Sequence, residues 1–398
     1  MSIYLNRYAW KVPLFPEYIP DPDLEMVVVI PCYNEPEIEK ALLSLIGCSR
    51  PCNLLVLVVI NESTEEDSLV QNQNVKTFQT IENLKPKLDF EILATHQKLL
   101  PKKAGVGLGR KIGMDEAVRF FEKLEKDGII VCYDADCTCE SNYLAAIFNF
   151  YQDGKKEAGI VFYEHDLSDN AEAIIQYEIY LRYYVNALRY AGFPHAYQTL
   201  GSCITVKSKR YQKEGGMNTR KAGEDFYFLH KVIPNGKFGE INTTTIHPSA
   251  RISDRVPFGT GHAIDRYLNQ ETEDYLTYNP RVFEELTDFI CQVEVLYHQG
   301  KPTISTCVQQ FLDENDFHRF LVEMGRQSTD LPSFEKRFFA WMDGFRILKF
   351  VHFARDHFYE NVELMEAVRW LDTKLEMRLT FNSSDELLKG LRKVDKQH

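Results

Sequence analysis

Short apolar runs alternate with stretches whose apolar residues recur at helical spacing, from residue 25 to residue 245. The apolar runs predict strands over residues 25–30, 54–60, 90–94, 128–132, 159–162, 203–206 and 239–245. The helical spacing predicts helices over residues 36–47, 104–126, 170–191 and 224–232. Strands that alternate with helices favour an α/β fold with a mostly parallel sheet flanked by helices.

The two ends of the chain differ from this middle part in residue composition and pattern. Residues 1–24 are rich in proline and aromatic residues and predict an irregular N-terminal arm. Beyond residue 262, helical patterns rich in Phe, Leu and Trp occupy residues 286–297, 308–324 and 334–358. We therefore predict an arm over 1–24, an α/β domain over 25–262 and an all-helical C-terminal annex over 263–398.

Composition narrows the class of protein. The chain has 398 residues and a formal net charge of -12, which argues against generic nucleic-acid binding because that needs a basic surface. The nine cysteines follow no disulfide or zinc pattern, which is typical of a reducing compartment. Neither a signal peptide nor a transmembrane segment is evident. We expect a soluble cytoplasmic protein, and leave open peripheral membrane contact and oligomerisation.

The most informative polar pair follows the strand predicted over residues 128–132. Asp134 and Asp136 lie one residue apart, and such side chains of an extended chain point to the same side. Two like charges so close favour a bound cation, and their oxygens suit Mg²⁺ or Mn²⁺ together with substrate phosphates. A solvated loop is the commoner explanation for an isolated pair, so the neighbouring loops decide.

Polar loops follow two other predicted strands, at the edge where open α/β sheets bind ligands. Taken singly, Asn34 is explained as well by a helix cap and Asn61 by a turn. The candidate residues of these loops are Pro31, Tyr33, Asn34, Glu35, Asn61 and Glu62.

A glycine-rich basic segment opens the helix predicted over residues 104–126. Its glycines permit close backbone approach to a ligand, and a helix N-terminus attracts phosphate. Lys103 and Arg110 could neutralise a diphosphate there. The spacing fails the dinucleotide fingerprint, which excludes NAD, and a flexible basic loop is the alternative.

Two acids open the helix predicted over residues 224–232. Glu224 and Asp225 gain from the positive end of the helix dipole, and one could act as a general base towards an alcohol. Gly215 and Gly216 precede them and are expected to shape the pocket floor. The alternative is a helix cap with a first-turn acid.

The last polar group follows the β-rich run over residues 239–245. His247 is a candidate neutral ligand for a divalent cation, with His262 as the other candidate, although a lone histidine is usually structural. Arg251 and Arg255 could each clamp a phosphate with two hydrogen bonds.

In their order along the chain, these segments resemble the inverting family 2 glycosyltransferases, which have the GT-A fold with a Rossmann-like sheet. The likeness covers residues 25–250 and is specific as an ordered set. The matching segments are Val27-Val28-Val29-Ile30-Pro31-Cys32-Tyr33-Asn34-Glu35, Lys103 to Gly109-Arg110, Asp134-Ala135-Asp136, Gly215-Gly216 and Glu224-Asp225.

The resemblance implies a metal-dependent enzyme that moves a sugar from a UDP- or GDP-linked donor to an acceptor hydroxyl with inversion. The first loop would hold the nucleotide, while Asp134, Ala135 and Asp136 would hold the metal and the diphosphate. By position, Asp225 would be the base, and Glu224 would assist it or line the acceptor pocket.

One departure from the family concerns the second loop. It is commonly Asp-Asp-x-Ser in the family and reads Asn61-Glu62-Ser63 here. An amide can donate and accept hydrogen bonds, whereas an ionised carboxylate only accepts them, so the two recognise different groups of a nucleobase. The sequence therefore leaves the donor's base undecided. The annex lacks the apolar spans of membrane-embedded polysaccharide synthases, which argues against processive export.

Three other interpretations are weighed. A sugar-phosphate nucleotidyltransferase should carry a glycine-rich, arginine-containing loop after its first strand, and residues 31–35 have neither feature. A non-catalytic sugar-nucleotide-binding module would keep the nucleotide loops but lack the base or the metal ligands, and both are present here. A purely structural protein fits least, because so many polar residues concentrate at one sheet edge.

Overall fold

The computed structural model describes residues 2–168, 171–251, 260–268 and 275–397. The chain forms two compact units. The first comprises Met1–Ala171, Thr199–His262 and Lys396–His398, and the second comprises Glu172–Gln198 and Ala263–Asp395. The predicted limits of arm, domain and annex at residues 24 and 262 stay a prediction.

Within the described residues, the first unit contains one eight-stranded sheet. Its strands are β1 Leu24–Cys32, β2 Asn53–Ser63, β3 Glu91–Leu99, β4 Ile129–Cys132, β5 Thr138–Cys139, β6 Ala158–Tyr163, β7 Ile204–Lys207 and β8 Phe238–His247. Their order is β3-β2-β1-β4-β7-β6-β8-β5. The first four strands in this order, β3, β2, β1 and β4, are parallel to one another, and β6 is parallel to β8. In contrast, β7 is antiparallel to its neighbours β4 and β6, and β5 is antiparallel to β8. The α/β fold is confirmed, and its sheet is mixed beyond β4.

Up to residue 268, helices precede, connect and follow these strands along the chain. They are α1 Ile3–Arg7, α2 Ile38–Ile46, α3 Ser68–Leu84, α4 Val106–Lys123, α5 Tyr143–Phe150, α6 Ala171–Tyr190, α7 Ser208–Lys213, α8 Glu224–Val232 and α9 Thr260–Leu268. Short 3-10 turns occupy Lys85–Lys87, Gly201–Cys203 and Ile233–Asn235.

The centre of the sheet is buried on both faces. Strand β1 is buried from Met26 to Cys32 and β2 from Leu54 to Glu62, as expected of parallel strands covered by helices. Helix α4 packs closely on them, because a side chain at Gly113 would reach 2.4 Å from a methyl group of Val29. Continuous apolar runs in both strands are thus what a covered parallel sheet requires.

Four helices of the first unit, α1, α3, α5 and α7, fall where the apolar pattern predicts no helix. Helix α3 buries Asn74, Thr77, Ile81 and Leu84, which recur at helical spacing, but the first two are polar and weaken the apolar signal. Helix α5 is short and follows the strand β5 after only three residues. The buried polar residues of α3, Asn74 and Thr77, contact the loop at the sheet edge described below.

The second unit is helical apart from a two-stranded antiparallel ribbon of β9 Leu276–Thr277 and β10 Val362–Glu363. Each of the three helical stretches predicted after residue 285 is broken into two helices, because turns interrupt a continuous apolar pattern. The helices are α10 Pro280–Ile290, α11 Val293–Tyr297, α12 Thr306–Glu314, α13 Phe317–Gln327, α14 Leu331–Trp341, α15 Gly344–His357, α16 Leu364–Leu375 and α17 Ser384–Lys396.

A buried charge network joins α6 to α17 within the second unit. Arg182 donates to Glu178 at 2.9 Å and to Asp395 at 2.5 Å, and Arg392 donates to Glu178 at 2.8 Å. Asn186 also donates to Asp395, at 2.7 Å. Every charge in the network has an opposite partner, which is the condition for burying charges without a large penalty.

No helix of the described residues is long and apolar enough to cross a membrane.

The buried carboxylate of Asp115 is one of the groups that fasten the N-terminal arm to α4. Asp115 accepts hydrogen bonds from Tyr4 at 2.5 Å, from Tyr211 at 2.9 Å and from the backbone N–H of Trp10 at 2.7 Å. Gly216 has a φ of 72°, and a side chain there would lie 1.9 Å from the Tyr4 hydroxyl. We expected Gly216 to shape a pocket floor, but it makes room for the arm.

Replacing Asp115 by Asn should therefore destabilise the first unit. The amide keeps the shape but removes the counter-charge of Lys111, whose Nζ lies 3.1 Å from Oδ2, and places an NH₂ donor among four donors, which leaves at least one of them unpaired at a cost of about 1–3 kcal/mol. Urea unfolding measures the change, with Asp23→Asn at an exposed position as the control. Equal unfolding midpoints for the two variants would contradict the arm's attachment through Asp115.

Candidate active site

Two of the predicted site segments meet around one buried guanidinium group. Arg110 lies in the first turns of α4, is 2% exposed, and donates from Nη2 to Oδ1 of Asp134 at 2.8 Å. The same nitrogen lies 3.6 Å from Oε1 of Glu224, the first residue of α8. Arg110 therefore joins the Asp-x-Asp segment after β4 to the acid pair that opens α8.

Three glycines leave the space that this arrangement needs. A side chain at Gly201 would come within 2.2 Å of the Arg110 guanidinium, and one at Gly107 would come within 2.9 Å of the Glu224 side chain. A side chain at Gly109 would come within 2.7 Å of the Asn61 amide oxygen. Part of the glycine-rich segment thus serves the packing of the site's own side chains, whereas the sequence suggested an approach to phosphate.

Arg110 still has unused hydrogen-bonding capacity. Its Nε and Nη1 atoms are buried and have no hydrogen-bond partner among the described residues. Unsatisfied buried donors are costly, and in a native structure they point to a bound water or ligand group. The guanidinium can therefore hold an additional acceptor beside Asp134.

The two acids of α8 have different surroundings. Glu224 is 3% exposed, and burial raises its pKa from 4.5 to about 7, against the opposing effect of Arg110. Asp225 is half-buried, and burial also raises its pKa. Its Oδ1 atom accepts a hydrogen bond from the N–H of Phe226 at 2.7 Å. The more exposed carboxylate, Asp225, is the better placed of the two to receive a proton from a bound molecule.

A second arginine engages the other aspartate. Arg251, just past β8, forms a two-pronged ion pair with the buried carboxylate of Glu35, and its Nη2 lies 3.2 Å from Oδ2 of Asp136. Each aspartate of the Asp-x-Asp segment therefore has its own arginine. The structure brings Glu35, Asp136 and Arg251 together, whereas the sequence analysis assigned Arg251 to a phosphate.

The first loop is held by α3, which the sequence pattern did not predict. The N–H of Asn34, at a φ of 48°, donates to Oδ1 of Asn74 at 2.8 Å, and Asn74 donates from Nδ2 to Glu62 at 3.0 Å. Thr77 donates to the carbonyl oxygen of Glu35 at 2.6 Å. Asn74 and Thr77 are positioning residues, and their spacing with Ile81 and Leu84 is the signal that could have found them.

Glu62 is part of this support. It is 1% exposed and accepts from Asn74 and from Nε2 of His96 at 2.9 Å, while Lys98 lies 3.6 Å away. Although burial raises the pKa of Glu62, these hydrogen bonds lower it below the usual value. The Glu62 carboxylate thus holds Asn74, which in turn holds the first loop at Asn34.

The other predicted residues differ in exposure. Pro31, Asn61 and Ala135 are buried, Tyr33 and Asn34 are half-buried, and Lys103 is exposed in the turn before α4. Arg255 lies outside the described residues, as does the side chain of His262.

The metal prediction rests on the two aspartates. Their side chains are 33% and 28% exposed for Asp134 and Asp136, and they offer the oxygen ligands that Mg²⁺ and Mn²⁺ prefer. His247 donates from Nδ1 to the carbonyl oxygen of Glu164 at 3.1 Å. Among the described residues, no three His, Cys, Asp or Glu side chains are grouped to hold a metal, so His247 is not brought together with the aspartates as a ligand set.

Comparisons with known proteins give a fold likeness only. No family model matches the chain, and no curated protein matches it. The chain is similar to S. aureus TarS residues 1–349 in complex with UDP-GlcNAc, at 12% identity and a TM-score of 0.42, over 89% of this chain and 92% of that one. For the UDP complex of the same protein the values are 12% and 0.41, over 94% and 92%. Likenesses this distant carry no argument about chemistry.

Removing the charge of Arg110 should destabilise the fold strongly. Arg110→Met leaves Asp134 and Glu224 without their counter-charge, and breaking a buried ion pair costs about 3–5 kcal/mol. Arg110→Lys keeps the charge and should cost less. Urea unfolding compares them with Arg319→Met, whose exposed pair should contribute about 0–1 kcal/mol. Unchanged stability in Arg110→Met would show that the guanidinium does not hold the site together.

Glu224 should give stability a pH dependence. Since its folded pKa of about 7 exceeds 4.5, the folded state binds more protons than the unfolded state between these values, and the free energy of unfolding falls as pH rises through that window. Glu224→Gln removes this loss. Relative to wild type, the variant should gain stability from about pH 5 to about pH 8 in urea titrations. Exposed Glu65→Gln is the control, and parallel pH profiles for wild type and Glu224→Gln would contradict the raised pKa.

Proposed function

We propose that this protein is a glycosyltransferase that moves a sugar from a nucleoside-diphosphate sugar to an acceptor hydroxyl. The proposal rests on the position of Arg110, which contacts both Asp134 and Glu224. This contact places the Asp-x-Asp segment, the candidate diphosphate site, beside the acid pair Glu224 and Asp225 at one edge of the sheet. The acceptor would be a glycan, a lipid-linked or a small-molecule alcohol.

The donor's nucleotide would lie against the first loop and the end of β2. Asn34 and Glu35 are fixed there by α3, so the loop is rigid before any ligand arrives. A preformed surface lowers the ordering cost of binding. Asn61 offers an amide beside Gly109, and the donor's base, uracil or guanine, is left to experiment.

The proposed cofactor is Mn²⁺ or Mg²⁺, held by Asp134 and Asp136. The donor set fits because such ions take one or two carboxylates and complete their shell with water and phosphate oxygens. When bound, the ion would neutralise charge on the departing diphosphate. Arg110 and Arg251 already stand beside these carboxylates and would orient them.

The proposed reaction inverts the anomeric centre by one in-line displacement. Asp225 takes the proton of the acceptor hydroxyl, whose oxygen bonds to the anomeric carbon as the bond from that carbon to the phosphate oxygen breaks. The products are the glycoside and the nucleoside diphosphate. A raised pKa suits a base that works near neutral pH, and half-burial leaves Asp225 within reach of an acceptor.

Donor binding tests the metal assignment. Wild type should be stabilised against heat by UDP or GDP more strongly with Mn²⁺ than without it, and Asp136→Asn should lose most of the Mn²⁺-dependent part. Asp153→Asn, at an exposed turn, is the matched control. An unchanged Mn²⁺-dependent shift in Asp136→Asn would remove that residue from the metal site.

Product analysis tests the reaction. With a donor and an acceptor identified, Asp225→Asn should lose about 10²–10⁴-fold in kcat, because a general base typically contributes that much. Exposed Asp313→Asn should keep wild-type turnover. Release of pyrophosphate would point to a nucleotidyltransferase, and retention of the donor's anomeric configuration would contradict the displacement.

A further inference from the structure

Two cysteines lie almost in contact beside the loop that carries Asp136. Cys48 follows α2, and Cys139 is the second residue of β5, three positions after Asp136. Their sulfur atoms are 3.6 Å apart. A disulfide bond is about 2.05 Å long, so the two sulfurs need to close by about 1.5 Å.

The backbones around the pair are already pinned together. The N–H of Ser49 donates to the carbonyl oxygen of Ser141 at 2.8 Å, one residue beyond Cys48 and two beyond Cys139. On the other side, the N–H of Cys139 donates to Oγ of Ser44 at 2.8 Å. Disulfides form where the two chains already lie close, and here hydrogen bonds hold them on both sides of the sulfurs.

We propose that Cys48 and Cys139 are a redox modification site, in which a reversible disulfide ties the end of α2 to β5 and restrains the loop that carries Asp136. Cys139 lies three positions after Asp136 in sequence, but neither cysteine takes part in any step of the proposed reaction. The inference therefore does not depend on the identity of the donor or the acceptor.

The chemistry is an exchange with a small-molecule disulfide, such as oxidised dithiothreitol. The Cys48 thiolate attacks one sulfur of the oxidant and forms a mixed disulfide. The Cys139 thiolate then attacks the Cys48 sulfur, which forms the Cys48–Cys139 bond and releases the reduced dithiol with the two protons from the cysteines. Two thiols are oxidised by two electrons, and one disulfide is reduced.

The surroundings favour Cys48 as the attacking thiol. A hydrogen bond with Cys139, and others from the N–H groups of Leu144 and Tyr143, lower the pKa of Cys48 against the effect of burial. Cys48 is buried and Cys139 is half-buried, so solvent meets the pair at Cys139. Cytosolic disulfides that form in such places are usually transient and responsive to redox conditions.

The test is oxidation of the folded protein followed by peptide mapping. After oxidised dithiothreitol, blocking of free thiols and digestion without reductant, mass spectrometry should find the peptide of Cys48 linked to that of Cys139, and excess reduced dithiothreitol should remove the link. Cys48→Ser and Cys139→Ser should each abolish it, while Cys52→Ser, at the nearby half-buried cysteine, should keep it.

Hydrogen exchange tests the restraint. Peptides that cover residues 133–141 should exchange more slowly in the oxidised protein than in the reduced one, and no such change should occur in Cys139→Ser. The proposal is overturned if Cys48 and Cys139 stay fully alkylatable after oxidation, or if the link forms only under denaturing conditions. A link that leaves exchange of residues 133–141 unchanged would overturn the restraint.

Discussion

The first unit is organised around a guanidinium group that water cannot reach. Burying an isolated charge costs many kcal/mol, so Arg110 can be accommodated only if carboxylates surround it. Asp134 and Glu224 meet that requirement, and they come from segments 90 residues apart in sequence. The ion pairs of Arg110 therefore fix the ends of α4, β4 and α8 relative to each other. Glycine is needed at positions 107 and 201, because a side chain there would clash with neighbouring atoms, including those of Glu224 and Arg110.

A second line of polar contacts runs from the end of β3 to the Asp-x-Asp segment. His96 contacts Glu62, Glu62 accepts from Asn74, and Asn74 fixes the first loop. From that loop, Glu35 reaches Arg251, which lies beside Asp136. Each member contacts the next, so hydrogen bonds hold the loop in the conformation that gives Asn34 its positive φ. One oxygen of the network, Oε1 of Glu62, is buried without a hydrogen-bond partner among the described residues, and Lys98 lies 3.6 Å from it.

Sequence reasoning finds what local patterns encode. Apolar runs located seven of the eight strands of the described sheet and missed only β5, and the positions of Asp134 after a strand and of Glu224 at a helix start indicated one sheet edge, because strand ends and helix starts are local events. It could not find that Glu62 points inward or that Gly216 faces Tyr4, since both depend on contacts between distant segments. Helix α3 was missed for a physical reason: Asn74 and Thr77 interrupt its apolar stripe because they serve the site.

The balance of charge at the site links its electrostatics to its chemistry. Five carboxylates, those of Glu35, Asp134, Asp136, Glu224 and Asp225, share the two guanidinium groups of Arg110 and Arg251 among the described residues. Such an excess of negative charge repels a diphosphate unless protons or further cations offset it. Burial, and to a smaller extent the neighbouring carboxylates, raise the pKa values of the two α8 acids, and a divalent ion at the two aspartates would offset further negative charge. Binding of a cation and the anionic donor should therefore be mutually dependent, because each removes the charge that opposes the other.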